Sequence, residues 1–252
     1  MEIIDWVAIL GALAWTPHLY SIIKKILTKS EIRAITSKTA SLGFTTYGSI
    51  FNIRLAFSVK YHDIVISDLK IKIKHESGEE KTFEWQGLRQ PISTMTTPDG
   101  GVMPNEKEHS VLAIKLNQKD IEEKIIECRD ISYINGISEL ETNAVKKKTY
   151  LQQQNSYVED DFLKSQEMVD LYNYMKQSLI WKTGNYVATI EVDSPEEFVL
   201  IDNKYEFSLS AIDIEFFEKN KAQIERSFES LKEDKSNKVN WHWRNPNIKK
   251  CS

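Results

Sequence analysis

Residues 6–23 run for 18 positions without a formally charged side chain, bounded by Asp5 before them and by Lys24 and Lys25 after them. At about 1.5 Å of rise per residue such a helix is roughly 27 Å long, close to the hydrocarbon thickness of a bilayer. The sequence therefore predicts a transmembrane or membrane-associated helix, with residues 1–28 as an anchor.

Flanking charge sets the expected orientation. Lys24, Lys25, Lys29, Arg33 and Lys38 follow the run with Glu31 as their one acidic neighbour, whereas Glu2 and Asp5 precede it. The positive-inside bias puts the N-terminus outside and the rest of a single-pass protein in the cytoplasm. Trp6 and Tyr20 sit near the two ends, where aromatic rings favour the interface, and Trp15 lies deeper. The basic residues follow the apolar run instead of preceding it, and no persuasive small-x-small cleavage site precedes the polar region, which argues against a removed signal peptide. Thr16, Pro17, His18, Tyr20 and Ser21 make the second half amphiphilic, so an interfacial helix and a helix buried in a soluble domain compete with the span. Ala8 and Ala12 form a small-xxx-small pair suited to self-association.

The remaining 220 or so residues are enough for one sizeable domain. Residues 1–38 carry net +2, so the rest of the chain, at −6, is mildly acidic. That balance argues against a nucleic-acid partner, and the dense basic run Lys146-Lys147-Lys148 reads as a solvated helix face. Two cysteines, Cys128 and Cys251, are too few for a disulfide framework and suit a reducing compartment.

Periodicity predicts a β-rich domain. Phe51, Ile53, Leu55 and Phe57 alternate with polar or small residues, as do Leu69, Ile71 and Ile73 with Lys70, Lys72 and Lys74, and Phe83 and Trp85 follow a Gly78 turn. These make an antiparallel meander, preceded by strand material in residues 31–44. Residues 90–107 read as a long polar loop of the kind that often carries function. Helices are expected over 119–181, with Met168, Leu171, Tyr172, Met175 and Leu179 on one face and Asp160 or Asp161 as an N-cap. Strands resume over 184–192 and 204–209, and an amphipathic helix over 213–232 presents Phe217, Ile224, Phe228 and Leu231. The Gly184-Asn185-Tyr186 opening resembles the tyrosine-corner strand of immunoglobulin-like domains over about six residues. A tally of about seven short strands, with a helical insertion before the last two, predicts an α+β chain: an immunoglobulin-like antiparallel sandwich in residues 29–118 and 182–212, a helical insertion in 119–181, and a C-terminal helix and tail in 213–252.

Chemistry is harder to find. His18, His62, His75, His109 and His242 lie on separate elements, no Gly-rich phosphate loop occurs, and no metal or cofactor is expected. His62-Asp63 reads as a surface turn. The residues chosen as an interaction surface are Trp241, His242 and Trp243, since two tryptophans in a polar tail must fold back or meet a partner, together with Asp99 and His109 of the long loop. The expected function is a non-enzymatic, membrane-anchored cytoplasmic binding protein, with membrane lipid and a protein partner or a second copy as its contacts. Two alternatives stand beside it. One is a membrane-acting effector or sensor, of the kind found in bacterial defence, that assembles through its anchor. The other is a hydrolase built on the loop around Asp99 and His109.

Overall fold

The computed structural model describes residues 15–24, 28–96, 102–109, 113–118, 120–229 and 239–251. Residues 15–24 form helix α1. Strands β1 (Ser30–Thr45) and β2 (Gly48–Lys60) then make a long antiparallel hairpin, paired from Glu31 opposite Lys60 to Thr45 opposite Gly48 with a register shift between Thr36 and Ala40. Gly48 has φ +75° and packs against the Tyr133 ring, so a side chain there would be both strained and overlapping. The alternation on β2 is the expected one: Phe51, Ile53, Leu55, Phe57 and Val59 are buried and Arg54 is exposed.

Strand β3 (Ile64–Ile66) pairs with β7 (Ile114–Leu116) as a separate ribbon. The meander continues as β4 (Asp68–His75) and β5 (Glu80–Thr96), and β6 (Val102–His109) folds back on the outer half of β5. Residues 90–96 and 102–107 are therefore paired strands, where composition predicts a long loop. A register shift between Pro91 and Ser93 lets the ladder pass a proline that has no N–H to donate.

The helical insertion is shorter than expected. Residues 122–130 form β8 (Glu122–Asp130), a central strand between β2 and β5. Its charged residues mimic a solvated helix, but Ile126, Cys128 and Asp130 are buried on alternate positions, and pairing on both sides overrides local propensity. Helix α2 (Ile131–Gln153) follows, capped by the Asp130 carboxylate accepting from the Ser132 amide at 2.9 Å. Then come α3 (Glu159–Leu163) and α4 (Gln166–Gln177). Asp160 and Asp161 lie in the first turn of α3 and do not cap α4, which starts after Ser165. Met168, Leu171, Tyr172 and Met175 are the buried face of α4, as the periodicity predicts.

Strands β9 (Gly184–Asp193), β10 (Phe198–Ile201) and β11 (Lys204–Leu209), helices α5 (Ala211–Lys221) and α6 (Gln223–Glu229), and the short β12 (Lys249–Lys250) complete the chain. Ten strands form one sheet in the order β10-β1-β2-β8-β5-β4-β9-β11-β12, with β6 attached to β5. The sheet curls until its two ends meet through the C-terminal tail. Leu42 and Arg244 exchange main-chain bonds of 2.8 and 2.9 Å, and the Ile248 amide donates to Lys38 at 2.9 Å. On the tail's other side Lys249 and Lys250 pair with Glu206 and Tyr205, and the Cys251 amide donates to Lys204. Residues 244–251 are thus a stave between β1 and β11. The mixed α and β content is as expected, but where an immunoglobulin-like sandwich has two sheets without main-chain bonds between them, these strands form one closed ladder. The local resemblance does appear: the Tyr186 hydroxyl bonds the main chain of Lys182, four residues upstream.

Aromatic rings fill much of the interior. Phe83 stacks on Trp181 at 5.7 Å between centroids and Tyr186 on Phe207 at 4.9 Å, with Phe51 and Phe217 beside them. Each such side chain contributes roughly 1.5–3 kcal/mol on burial. The buried Trp181 indole N–H is satisfied by the Gly43 carbonyl at 2.9 Å. Burial also pushes the Cys128 thiol well above its ordinary range, and both cysteines are free.

Among the described residues no helix is long and apolar enough to cross a membrane. Trp6 and Lys25 lie outside the described residues, and Trp15, Tyr20 and Lys24 lie on α1, every residue of which is exposed.

One buried side chain holds the tail to the barrel. Asn220, fully buried on α5, donates to the carbonyls of Phe44 and His242 and accepts from the His242 amide, each at 2.9 Å. Asn220→Ala leaves those main-chain groups without their partner and should cost about 2–4 kcal/mol. Urea unfolding with the loss read at an unchanged m-value would confirm it, whereas a loss under 0.5 kcal/mol on the order of surface substitutions would refute the clasp.

Candidate functional site

Two tryptophans of the tail come to rest against the end of the β1–β2 hairpin. Trp241 packs against the core, and Trp243, 38 % exposed, lies over Gly43, where a methyl group would overlap its indole. A glycine in a buried stretch of β1 is thus explained by close approach of the tail. His242 between them contacts the Phe216 ring at 5.4 Å, and its main chain is held by Asn220. The expectation that the tail folds back or meets a partner resolves toward docking on its own domain, with indole surface left over.

That surface is one wall of a groove of about 340 Å³. Its floor comes from the outward faces of two paired strands, since Ile50 lies opposite Arg129 and Asn52 opposite Glu127 in the β2–β8 ladder. Its far rim is the β1–β2 turn with Thr45, Thr46 and Tyr47. The Arg129 guanidinium stacks over the Tyr47 ring at 4.2 Å, an arrangement that orients the cation without neutralising it. Asn52 is 9 % exposed and its Oδ1 is buried with no hydrogen-bond partner. An unpaired buried acceptor of this kind costs about 1–3 kcal/mol, so a groove that retains one has a use for it or carries a defect. The volume falls in the range of small-ligand sites, which combine aromatic walls with a few placed polar groups.

A larger and more open cleft of about 610 Å³ lies at the other end of the same hairpin, where Ser21, Lys24 and Thr28 face Lys60, Tyr61 and His62. It is a crevice between α1 and a turn. The chemistry favours the smaller groove, which holds the unpaired amide. His62 and Asp63 occupy the surface turn expected of them, with Asp63 accepting from the Gln118 amide at 3.0 Å.

Of the other residues chosen from sequence, Asp99 lies outside the described residues, and His109 sits opposite Leu88 at the base of the β5–β6 arm. His109 is on a different pair of strands from the tail groove, and the structure does not bring the two together. Lys147 pairs with Glu167 at 3.8 Å and Lys148 lies over the Tyr157 ring, which accounts for two members of the basic run on the solvated face of α2. Among the described residues no three His, Cys, Asp or Glu side chains are grouped to hold a metal. Tyr47, Asn52 and Arg129 were not singled out from sequence. Alternation placed Asn52 on the outer face of β2, but nothing local showed that the tail would wall the same groove.

Comparison with known proteins finds no matching family model, no matching curated protein and no matching solved structure.

The tail is also held by charge. Arg244 bonds the Asp213 carboxylate and covers the Phe216 ring. Burial works against the Asp213 charge, yet the Ser210 amide and hydroxyl together with Arg244 hold its carboxyl below the ordinary value. A depressed carboxylate stabilises the fold fully above its unfolded pKa of about 3.9 and loses that contribution as pH falls toward the folded value. Asp213→Ala, which also removes the capping box with Ser210, should destabilise by about 1–2 kcal/mol at pH 7. The gap from wild type should narrow below about pH 4 when both are unfolded in urea across pH 7 to 3. A gap that stays constant over that range would show that the Asp213 charge does not hold the tail.

Proposed function

We propose that this chain is a non-enzymatic binding module attached to a membrane by its N-terminal segment, with the barrel on the cytoplasmic side. The observation that carries the attachment is the exposure of α1. Trp15, Leu19, Tyr20, Ile22 and Ile23 are each 53–67 % exposed, and none of the ten described residues of α1 is buried against the barrel. Covering five such side chains is worth roughly 5 kcal/mol or more. The apolar run continues through residues 6–14 in sequence and stops at Lys24 and Lys25, the pattern of a segment that enters lipid and halts at a basic boundary. Lipid is the occupant this composition fits.

The binding role rests on the groove. α1 precedes the Ser30 end of the β1–β2 hairpin in the chain, whereas the groove lies at the hairpin's turn, roughly 50 Å of strand away. Attached in this way, the barrel turns its open groove away from the bilayer and toward soluble ligands.

Tagged full-length protein and a version starting at Lys29 should separate on fractionation. The full-length chain is expected to resist carbonate extraction, with its C-terminal tag protected in sealed right-side-out cells, and the shortened chain to be released as soluble protein. Full-length protein found in the soluble fraction would overturn the attachment.

A further inference from the structure

The tail groove has aromatic side chains on both sides of a floor of paired strands. Trp241 and Trp243 make one wall and Tyr47, 55 % exposed, stands on the far rim, with Ile50 on the floor. The unpaired Asn52 Oδ1 is sealed beneath this surface and offers nothing to a ligand lying in it. Glu127 and Arg129 are two positions apart on β8 and share its outward face, so the floor carries one charge of each sign. That pairing selects neither a phosphate nor a free cation. Among the described residues the Tyr47 hydroxyl and the indole N–H groups of Trp241 and Trp243 donate to no protein acceptor. The walls therefore offer apolar ring faces edged with hydrogen-bond donors. A chain that lies between them must bring apolar surface and carbonyl acceptors without many backbone N–H groups of its own to satisfy. A proline-rich segment does so. Each proline removes an N–H, and the extended left-handed helix it favours has no internal hydrogen bonds, which leaves its carbonyls open to donors. Its φ is fixed beforehand, so little entropy is lost on docking between aromatic walls. The floor cannot take an added strand instead, because β2 and β8 are each paired on both sides.

We propose that the tail groove binds a proline-rich segment of a protein partner in the polyproline II conformation. The prolines pack against Trp241, Trp243 and Tyr47, and the segment's carbonyls accept from the indole N–H groups and the Tyr47 hydroxyl. This rests on the reading of the barrel as a binding module and deepens it by naming the ligand class. The groove lies at the end of the β1–β2 hairpin away from α1, where a soluble partner can reach it.

The test is fluorescence anisotropy of dye-labelled, end-capped dodecamer peptides titrated with full-length protein, in phosphatidylcholine nanodiscs if the chain resists carbonate and in plain buffer if it does not. One peptide is all proline, one repeats Leu-Pro-Pro, and the control repeats Gly-Ser. At least one proline peptide should bind saturably below ~1 mM, and the Gly-Ser peptide should not. Tyr47→Ala and Trp243→Ala act on opposite sides of the groove, and each should weaken that binding by about fivefold or more. If Trp243→Ala fails to fold, Tyr47→Ala, at an exposed turn, carries the test alone. Absence of binding by both proline peptides overturns the proposal. So does unchanged affinity in Tyr47→Ala, and so does equal binding of the Gly-Ser peptide, which would reduce the groove to a nonselective peptide contact. If the proline peptides fail to bind while the full-length chain still resists carbonate, the ligand assignment falls and the membrane attachment stands. If a proline peptide binds and carbonate strips the protein, the outcome is the reverse.

Discussion

Main-chain pairing between residues 38–42 and 244–248 is the constraint on which the rest of the structure depends. Without it the curled sheet would expose an unpaired stretch of β1 and an unpaired flank of β11, two edges ready to pair with another chain. With it, β1 is covered at one end by β10 and at the other by the tail. The tail also positions the site. Arg244 enters the ladder only two residues after His242 is fixed by Asn220, so Trp241 and Trp243 have little freedom in where they lie. Closing the barrel and building the groove wall are one event.

The order of the strands gives that event a folding consequence. The hairpins β1–β2, β4–β5 and β5–β6 and the helix pair α2–α4 are made of contacts near in sequence, whereas the stave joins the first strand to residues about 200 positions later. Loop-closure entropy makes such a contact slow to form. Asn220 and the Asp213–Arg244 pair act at that point, because α5 packs against β1 and gives the tail a docking surface. A polar side chain with zero exposure would be a liability in most cores. Here all its hydrogen bonds go to main chain that a strand edge would otherwise leave open.

Legibility in the sequence followed the range of the interactions. Alternation identified the buried faces of β2, β4 and β9, and helical spacing identified the face of α4, since each reports only whether a side chain lies inside or outside. β8 was missed because Glu122, Glu123, Lys124 and Glu127 outweigh Ile126 and Cys128 in any local count, and only the strands on either side make it a strand. The β5–β6 arm was hidden by Pro91, Thr94, Thr96 and Pro104, which read as loop until a bulge absorbs Pro91. Trp241 and Trp243 could be flagged because indoles in a polar tail are out of place. Asn52 could not, as the groove it lines is walled by residues almost 190 positions away.

Hydrogen exchange followed by mass spectrometry or NMR tests the closure most directly, because it reads the pairing amides themselves. The amides of Leu42, Arg244 and Ile248 should exchange at rates set by global unfolding, like those of the β2–β8 ladder at the centre of the sheet. If the amides of 244–251 exchange as fast as open chain while β2 and β8 stay protected, the tail does not close the barrel, and the groove it walls is not a standing feature of the molecule.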